Sequence, residues 1–269
     1  MQRHFVLAMV AIALLTGDAM LAVATASESN QLLMSQGRSS RRITRVNFQP
    51  PRRGAPRSTI GLGSRGDCLV NNRLRALTPF PYGTSEEATL ELTTAAYPTL
   101  FIYVPAFDQA AQGLELTIMR VTPTGEEELY TKSFALPAEA GIVGLTPTQA
   151  DVPPLRVGER YHWYVSMVCH SLGSVDQSGN AIADGWMERV TVDPTLQSRL
   201  DTADPLERAD LYAQAGIWQD TLIILAELRR TQPNDEILRV IWQELLQSVG
   251  LRSIAEAPVL DCCQPTRDL

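Results

Sequence analysis

The clearest alternation of apolar and polar side chains lies in residues 161–169. Read with the period of two that an extended strand has, one face of this segment carries Tyr161, Trp163, Val165, Met167 and Cys169. The opposite face carries a mixed set that includes His162, Tyr164 and Ser166. A strand with one continuous apolar face is buried on that face, so we expect this segment to be the central strand of a β-domain.

Seven further short segments of strand character lie between residues 67 and 193, with turn residues between them. They fall near residues 73–79, 87–93, 99–104, 114–122, 127–135, 141–145 and 185–192. Because no helical pattern interrupts the series, we predict an immunoglobulin-like β-sandwich over 67–193. Tyr161 stands where such sandwiches place a tyrosine whose hydroxyl bonds to the backbone just upstream.

After residue 193 the apolar residues recur at helical spacing, which makes 194–256 an α-helical appendage to a mainly β protein. Helices are expected at 205–215, 217–231 and 235–249, the first with Asp204 as its N-cap. Related segments recur 34 residues apart, which is the period of tetratricopeptide (TPR) repeats, but the second copy is degraded. We therefore predict a TPR-like hairpin or three-helix segment. Its candidate interaction surface consists of Tyr212, Trp218 and Trp242.

The N-terminal residues 1–26 have the layout of a secretory signal peptide, with a basic start, an apolar core and small residues before Ala24 or Ala26. A membrane anchor is the alternative, but the uninterrupted apolar run is short for a membrane-spanning helix. The prediction is an exported protein of the periplasm or extracellular space.

Residues 27–66 read as a disordered linker with a strong positive charge. From Ser29 to Gly66 there are eight arginines and no acidic residue, whereas the rest of the chain from Asp67 carries a net charge of −14. We expect weak contact of this linker with anionic surfaces or with the acidic body, or no role beyond that of a solvated linker. Nucleic acid is not an expected partner of an exported chain.

Export would place the four cysteines in an oxidising compartment. Cys68 precedes the first predicted strand and Cys169 ends the central one, so both would lie at the same end of a sandwich, which favours a Cys68–Cys169 disulfide. The adjacent pair Cys262 and Cys263, in the tail 257–269, has three options: a ring between them, free thiols, or a bond that ties the tail to the body. Metal binding is not expected, because CxxC spacing and nearby histidines are missing.

No catalytic or cofactor motif stands out, and we expect neither an enzyme nor a bound cofactor. His162 and His170 flank the central strand, and the simplest interpretation is two partly exposed strand histidines; a hydrolase would require one of them to meet a carboxylate in a cleft. The aromatic side chains Tyr103, Tyr161, Trp163 and Tyr164 would form a sugar-stacking platform if exposed. For Tyr161 and Trp163 burial is the favoured interpretation, since they share a face with apolar residues.

Several joint motifs resemble the cyanobacterial domain-of-unknown-function family numbered 928. They are Arg65-Gly66-Asp67-Cys68, Tyr103-Val104-Pro105, Gly141-Ile142-Val143, Tyr161-x-Trp163-x-x-Ser166-x-Val168-Cys169, Gly185-Trp186-x-x-Arg189-Val190, Gly216-Ile217-Trp218, Leu225-Ala226-Glu227-Leu228-Arg229-Arg230 and Cys262-Cys263. The resemblance covers about 65–263 and implies export without an established activity.

Two functional hypotheses follow. The first is an exported, non-catalytic interaction or scaffold protein that binds an envelope protein. The alternative is a carbohydrate-binding module for envelope or extracellular polysaccharide, which requires exposed tryptophan and tyrosine rings.

Overall fold

A computed structural model describes residues 44–51, 54, 67–70, 73–80, 89–150, 152–169, 178–263 and 265–266. These residues form a mainly β protein with helices at its C-terminal end. The strands are β1 Arg75–Ala76, β2 Glu91–Thr93, β3 Leu100–Val104, β4 Gly113–Thr122, β5 Gly125–Phe134, β6 Gly141–Leu145, β7 Arg160–Val168 and β8 Ala181–Arg189. The helices are α1 Pro194–Leu200, α2 Pro205–Gln214, α3 Trp218–Thr231 and α4 Glu236–Ser248, followed by a 3-10 turn at Arg252–Ile254. The predicted signal peptide and His170 lie outside the described residues.

The strands form two sheets. Sheet A has the order β1-β3-β6 and sheet B the order β2-β8-β7-β4-β5. All neighbouring strands are antiparallel except β2, which runs parallel to β8. The predicted central strand is β7, which lies in the middle of sheet B between β8 and β4.

The main core lies between the inner faces of the two sheets. The five alternate side chains of residues 161–169 that were predicted to be buried are each at most 1% exposed: Tyr161, Trp163, Val165, Met167 and Cys169. They pack against Leu100, Ile102 and Val104 of β3. Burial of each large apolar side chain contributes about 1.5–3 kcal/mol, so this alternation is enough to define which face of β7 turns inward.

A second apolar core lies between the helices and the outer face of sheet A. Phe101 of β3 and Ile142 of β6 point away from sheet B and contact the apolar stripes of α3 and α4. Trp218 is fully buried in this core, where its indole Nε1 donates a hydrogen bond to the Leu77 carbonyl at 2.7 Å, and Trp242 is 2% exposed. The prediction that these two tryptophans form an interaction surface is therefore wrong, because both lie on the helix faces that cover the sheet. Tyr212 is half-buried.

Two other expectations differ from the structure. Residues 44–51, assigned to a disordered linker, pack on the helices: Val46 and Phe48 are buried, and the Phe48 ring meets the Trp218 ring edge-on at 4.7 Å. Helix α1 was not predicted, although its N-cap Asp193 is followed by a proline, as Asp204 is at the start of α2. Seven residues are too few to show an apolar period, which is why the pattern missed α1.

The turns after α2 and α4 share one backbone geometry. Gly216 and Gly250, 34 residues apart, have φ values of +74° and +83°, the left-handed region that favours glycine. A Cβ at Gly216 would also lie 2.8 Å from the Gln49 carbonyl oxygen, which explains why this turn needs glycine. In the second unit, however, only the three-residue turn Arg252–Ile254 follows the glycine. Among the described residues no helix is long and apolar enough to cross a membrane.

Candidate functional site

All four cysteines are in disulfides. Cys68 and Cys169 are bonded at 2.05 Å, and both are at most 1% exposed in the core between the sheets. Cys262 and Cys263 are bonded to each other, also at 2.05 Å, which is the ring among the three options for this pair. The tail is nevertheless held to the body, because its backbone hydrogen-bonds to strands of both sheets.

The most distinctive polar cluster lies on the outer face of sheet B and centres on His162 of β7. Its Nε2 lies 3.0 Å from the Asp184 carboxylate of β8, and its Nδ1 lies 3.2 Å from the Glu126 carboxylate at the start of β5. The imidazole stacks face to face on Trp186, its direct cross-strand neighbour, with ring centroids 4.3 Å apart. His162 is 6% exposed, so the expectation of a partly exposed histidine is wrong.

The two carboxylates determine the protonation of His162. Burial by itself lowers the pKa of the imidazole, but hydrogen bonds to Asp184 and Glu126 outweigh it, and the net effect raises the pKa above its ordinary value. The protonated ring donates one N–H to each carboxylate. With both nitrogens engaged in this way, the imidazolium has no free position with which to accept a proton from a nucleophile.

A hydrolase triad would need a nucleophile as well as this histidine–carboxylate contact. The nearby candidates by sequence, Ser171 and Asp176, lie outside the described residues, as does His170. On the described part of the same strand, Ser166 lies four residues from His162, too far along an extended backbone for a hydrogen bond. On the described part of β7, the histidine–carboxylate contact therefore has no serine within hydrogen-bond reach.

A second polar cluster is buried between β2 and the first turn of α3. Glu91 has no exposed surface; the Thr78 hydroxyl donates to its carboxyl group at 2.6 Å, and the Gln219 side-chain amide donates to the other oxygen. Burial raises the pKa of Glu91 to about 8. At neutral pH this side chain is thus mainly a neutral carboxylic acid.

Asp220, the neighbour of Gln219 on α3, attaches the same helix to the next residues of the β2 segment. Its carboxylate accepts hydrogen bonds from the Thr93 hydroxyl and the Thr94 backbone N–H, both at 3.0 Å, and from the Thr94 hydroxyl. Burial raises the pKa of Asp220 above its ordinary value. Both carboxyl groups therefore form hydrogen bonds across the contact between α3 and the β2 segment.

The sequence predicted this strand correctly but did not indicate that both of its faces are buried, which is why the cluster was missed. The alternation of Leu90 and Leu92 with Thr89, Glu91 and Thr93 is typical of a strand with one wet face. In the structure all five side chains are at most 9% exposed, because α3 covers the side that carries Glu91 and Thr93. The sequence feature that marks the site is Glu91 with a threonine two positions away on each side. It lies opposite a helix that begins Trp218-Gln219-Asp220.

An open groove of about 510 Å³ lies where the end of β8 meets α1 and the α2–α3 turn. Its apolar wall is formed by Leu92, Val157, Val190, Val192, Leu196 and Ile217. Charged side chains border it, among them Glu188 and Asp193. The size falls within the range of ligand pockets, about 300–1,000 Å³.

Of the four aromatic residues considered for sugar stacking, Tyr103 and Tyr164 are partly exposed, and the other two are buried. Tyr161 and Trp163 are in the core, as the shared apolar face predicted, and Trp186 is 6% exposed beneath His162. The Tyr161 hydroxyl accepts a hydrogen bond from the backbone N–H of Arg156 at 2.8 Å, the upstream contact expected at this position. In the described part of the chain, His, Cys, Asp and Glu side chains form no group of three or more suited to a metal ion.

The described residues thus define a class of protein: two β-sheets and a C-terminal helical layer, which contact each other through an apolar core and through buried carboxyl groups. The chain belongs to the family named Domain of Unknown Function (DUF928), whose sequence model matches residues 60–259. This confirms the resemblance to that family. The match contains both sheets and all four helices, and it ends just before the Cys262–Cys263 pair. No curated protein matches the chain.

Proposed function

We propose that the chain is an exported, non-catalytic interaction protein of the periplasm or cell envelope. We further propose that a partner's apolar side chains bind in the groove beside α1. The groove is the observation that carries this proposal, because it joins an apolar wall, a charged border and elements from both the sheet and the helices.

Export is supported by two independent features. The first is the signal-peptide pattern of residues 1–26. The second is that all four cysteines are in disulfides, which persist in oxidising compartments and are rare in reducing ones.

A non-catalytic role is supported by the state of His162. Both ring nitrogens face carboxylates, the side chain is 6% exposed, and Ser166 on the same described strand is out of its reach. A histidine held in this way stabilises the sheet surface by charge-assisted hydrogen bonds.

The order of the strands supports an immunoglobulin-like sandwich. Sheet B, with β8-β7-β4-β5, corresponds to strands G, F, C and C′ of a variable-type domain, and sheet A, with β1-β3-β6, to strands A, B and E. The contact between the Tyr161 hydroxyl and the Arg156 backbone corresponds to the tyrosine corner of such domains. For the helices, the paired glycine turns 34 residues apart favour a TPR-like origin of α2–α4, with the second unit shortened.

Polysaccharide binding, the alternative function, is less well supported. It requires coplanar aromatic rings at the surface, and Trp163 is fully buried while one face of Trp186 is covered by His162. We therefore do not carry it forward as a proposal.

Export is tested by the intact mass of the protein purified from its producing cells. The expected species begins at Thr25 or Ser27, and its mass is that of the mature chain with two disulfides formed. A species that retains Met1 in the membrane fraction would overturn this part of the proposal.

The groove is tested by site-specific photo-crosslinking in the native envelope. A benzoylphenylalanine is placed at Val157, which is 50% exposed at the groove, and at Val70, which is 47% exposed outside it and serves as the matched control. We expect a discrete adduct from position 157 that is absent from position 70 and is lost when Leu196→Glu places a charge in the apolar wall. Equal adducts at both positions, or none at position 157, would refute the groove as the binding site.

A further inference from the structure

The described C-terminal residues 258–263 and 265–266, here called the strap, lie on the side of the sandwich where β6 and β5 are the edge strands. At β6, the Ile142 N–H donates to the Pro258 carbonyl and the Leu260 N–H donates to the Ile142 carbonyl, both at 2.8 Å. At β5, the Thr266 N–H donates to the Ser133 carbonyl at 2.9 Å. The strap therefore joins an edge of sheet A to an edge of sheet B.

The strap packs closely against β6 at Gly141. A Cβ at Gly141 would lie 2.7 Å from the Leu260 side chain and 2.9 Å from the Pro258 carbonyl oxygen, so the absence of a side chain there allows the close approach. Next to this contact, the Asp261 carboxylate forms a salt bridge with Arg230 of α3 at 2.9 Å. These contacts are specific to one position of the strap.

The Cys262–Cys263 disulfide lies between the two ends of the strap. Cys263 is 7% exposed and packs on the core between the sheets, whereas Cys262 is only partly buried. The backbone of Cys263 has a φ of +70°, in the left-handed region that residues with a side chain rarely adopt. The ring with Cys262 restrains the backbone at this residue, and without the ring the residue is free to return to a common conformation.

We propose that Cys262–Cys263 is a redox-active site whose substrate is a dithiol reductant, and that its reduction releases the strap from the sandwich. Partial exposure directs attack to Cys262, because an incoming thiolate must reach a disulfide sulfur. The other disulfide, Cys68–Cys169, is at most 1% exposed and is shielded from the same reductant.

The exchange follows the usual two steps and is balanced. A thiolate of the reductant attacks the Cys262 sulfur, the Cys262–Cys263 bond breaks, and Cys263 leaves as a thiolate that takes up a proton. The reductant's second thiol then attacks the mixed disulfide, which frees Cys262. Two electrons and two protons pass from the dithiol to the protein, and the reductant becomes a disulfide.

Release of the strap would uncover the backbone edge of β6 at Ile142 and the apolar surface beneath Leu260 and Cys263. An edge strand with free N–H and carbonyl groups is able to pair with a strand of another chain. The inference does not depend on the proposed function, because it concerns a covalent change in this chain alone.

The test uses the full mature protein, oxidised, under native conditions at pH 7 with dithiothreitol as the dithiol. Alkylation and peptide mass spectrometry identify which cysteines are reduced, and hydrogen exchange measures the amides of Leu260 and Thr266. We expect two alkyl groups on Cys262 and Cys263 and none on Cys68 and Cys169. Exchange at the two strap amides should rise about tenfold or more, as expected when a docked segment opens locally.

Two variants separate the redox step from the docking. In the double variant Cys262→Ser, Cys263→Ser the strap amides should exchange quickly without any reductant. In Gly141→Ala, which leaves both disulfides intact, the new Cβ should displace Leu260 and raise its exchange. Amides in β7 serve as the control that each variant is folded.

Three outcomes with the wild-type protein would overturn the proposal. They are reduction of Cys68–Cys169 as fast as that of Cys262–Cys263, resistance of Cys262–Cys263 to dithiothreitol that reduces an exposed reference disulfide, and reduction without any change in exchange at Leu260 and Thr266. The double serine variant with exchange equal to that of the oxidised protein would also overturn it.

Discussion

The buried glutamate of β2 should make the protein less stable as the pH rises, and Glu91→Gln should remove this effect. The folded state holds the Glu91 proton with a pKa of about 8, whereas the unfolded chain releases it near the ordinary value of 4.5. Between those values the folded state binds one more proton than the unfolded state. The Glu91 contribution to stability is therefore fully present below pH 4.5 and is lost as the pH rises toward 8.

The size of the effect follows from the proton linkage. Each pH unit within this window lowers the free energy of unfolding by about 1.4 kcal/mol, so by pH 7 the loss is about 3 kcal/mol. Glutamine has the shape of the protonated acid and keeps an oxygen for the Thr78 hydroxyl. Its amide is able to donate to the Gln219 side-chain oxygen, which is buried without a partner among the described atoms. At pH 7 we expect Glu91→Gln to be more stable than the wild type by about 2–3 kcal/mol.

The assay is urea unfolding of the oxidised protein at several values between pH 5 and pH 8, followed by tryptophan fluorescence. The two proteins should have similar unfolding free energies near pH 5 and diverge steadily above it. Glu128→Gln, at an exposed position on β5, is the control for the chemical change itself and should stay within about 0.5 kcal/mol of the wild type. Parallel curves for Glu91→Gln and the wild type would show that Glu91 is not protonated in the folded state.

Three further substitutions have defined outcomes. His162→Gln removes an imidazolium whose pKa is raised in the folded state. It should lower the free energy of unfolding by about 3 kcal/mol at pH 5.5 and by less at pH 9, because Asp184 loses a charged partner only where the histidine is protonated. Urea unfolding at both pH values measures this difference. Trp218→Phe leaves the buried Leu77 carbonyl without its donor and should lower the unfolding free energy by about 1–3 kcal/mol. Gly216→Ala should lower the midpoint of thermal unfolding, because alanine is strained at a φ of +74° and its Cβ would clash with the Gln49 carbonyl oxygen. Together the two effects should lower the free energy of unfolding by about 1–3 kcal/mol.

Each of these predictions has a result that would contradict it. A pH-independent loss for His162→Gln would mean that the histidine is neutral in the folded state. A stable Trp218→Phe variant would argue against the hydrogen bond to Leu77. For glycine, Gly125→Ala is the comparison, because φ there is +141° but no atom lies within 4 Å of the added Cβ; equal losses at Gly125 and Gly216 would show that the clash with Gln49 is unimportant.

The strands were predictable because their apolar side chains alternate with the period that burial on one face requires. The central strand, expected at 161–169, is observed at Arg160–Val168, and the helix expected at 217–231 is observed at Trp218–Thr231. The candidate sites were much less predictable. Periodicity identifies which face of an element is apolar, but it does not reveal which other element covers that face.

Trp218 and Glu91 illustrate this limit from opposite sides. A tryptophan on an amphipathic helix has the composition of a binding surface, but sheet A lies against it and buries it completely. Glu91, which alternates with leucines, has the pattern of a solvent-exposed strand face, but α3 covers it. Both errors come from the contact between the helices and the sheets, which depends on residues more than 100 positions apart in the chain.

That same contact gives the buried carboxyl groups a common role. Glu91 and Asp220 both lie where α3 meets the β2 segment, and burial raises the pKa of each. Ionisation of either group therefore places a negative charge inside the joint between the helical layer and sheet B, where its hydrogen-bond donors are threonine hydroxyls, an amide and a backbone N–H. Since His162 also has a raised pKa, all three groups stabilise the folded state most at low pH, and two of them do so at a single interface. We expect the attachment of α3, rather than the core between the sheets, to be the first part of the described fold that loosens as the pH rises.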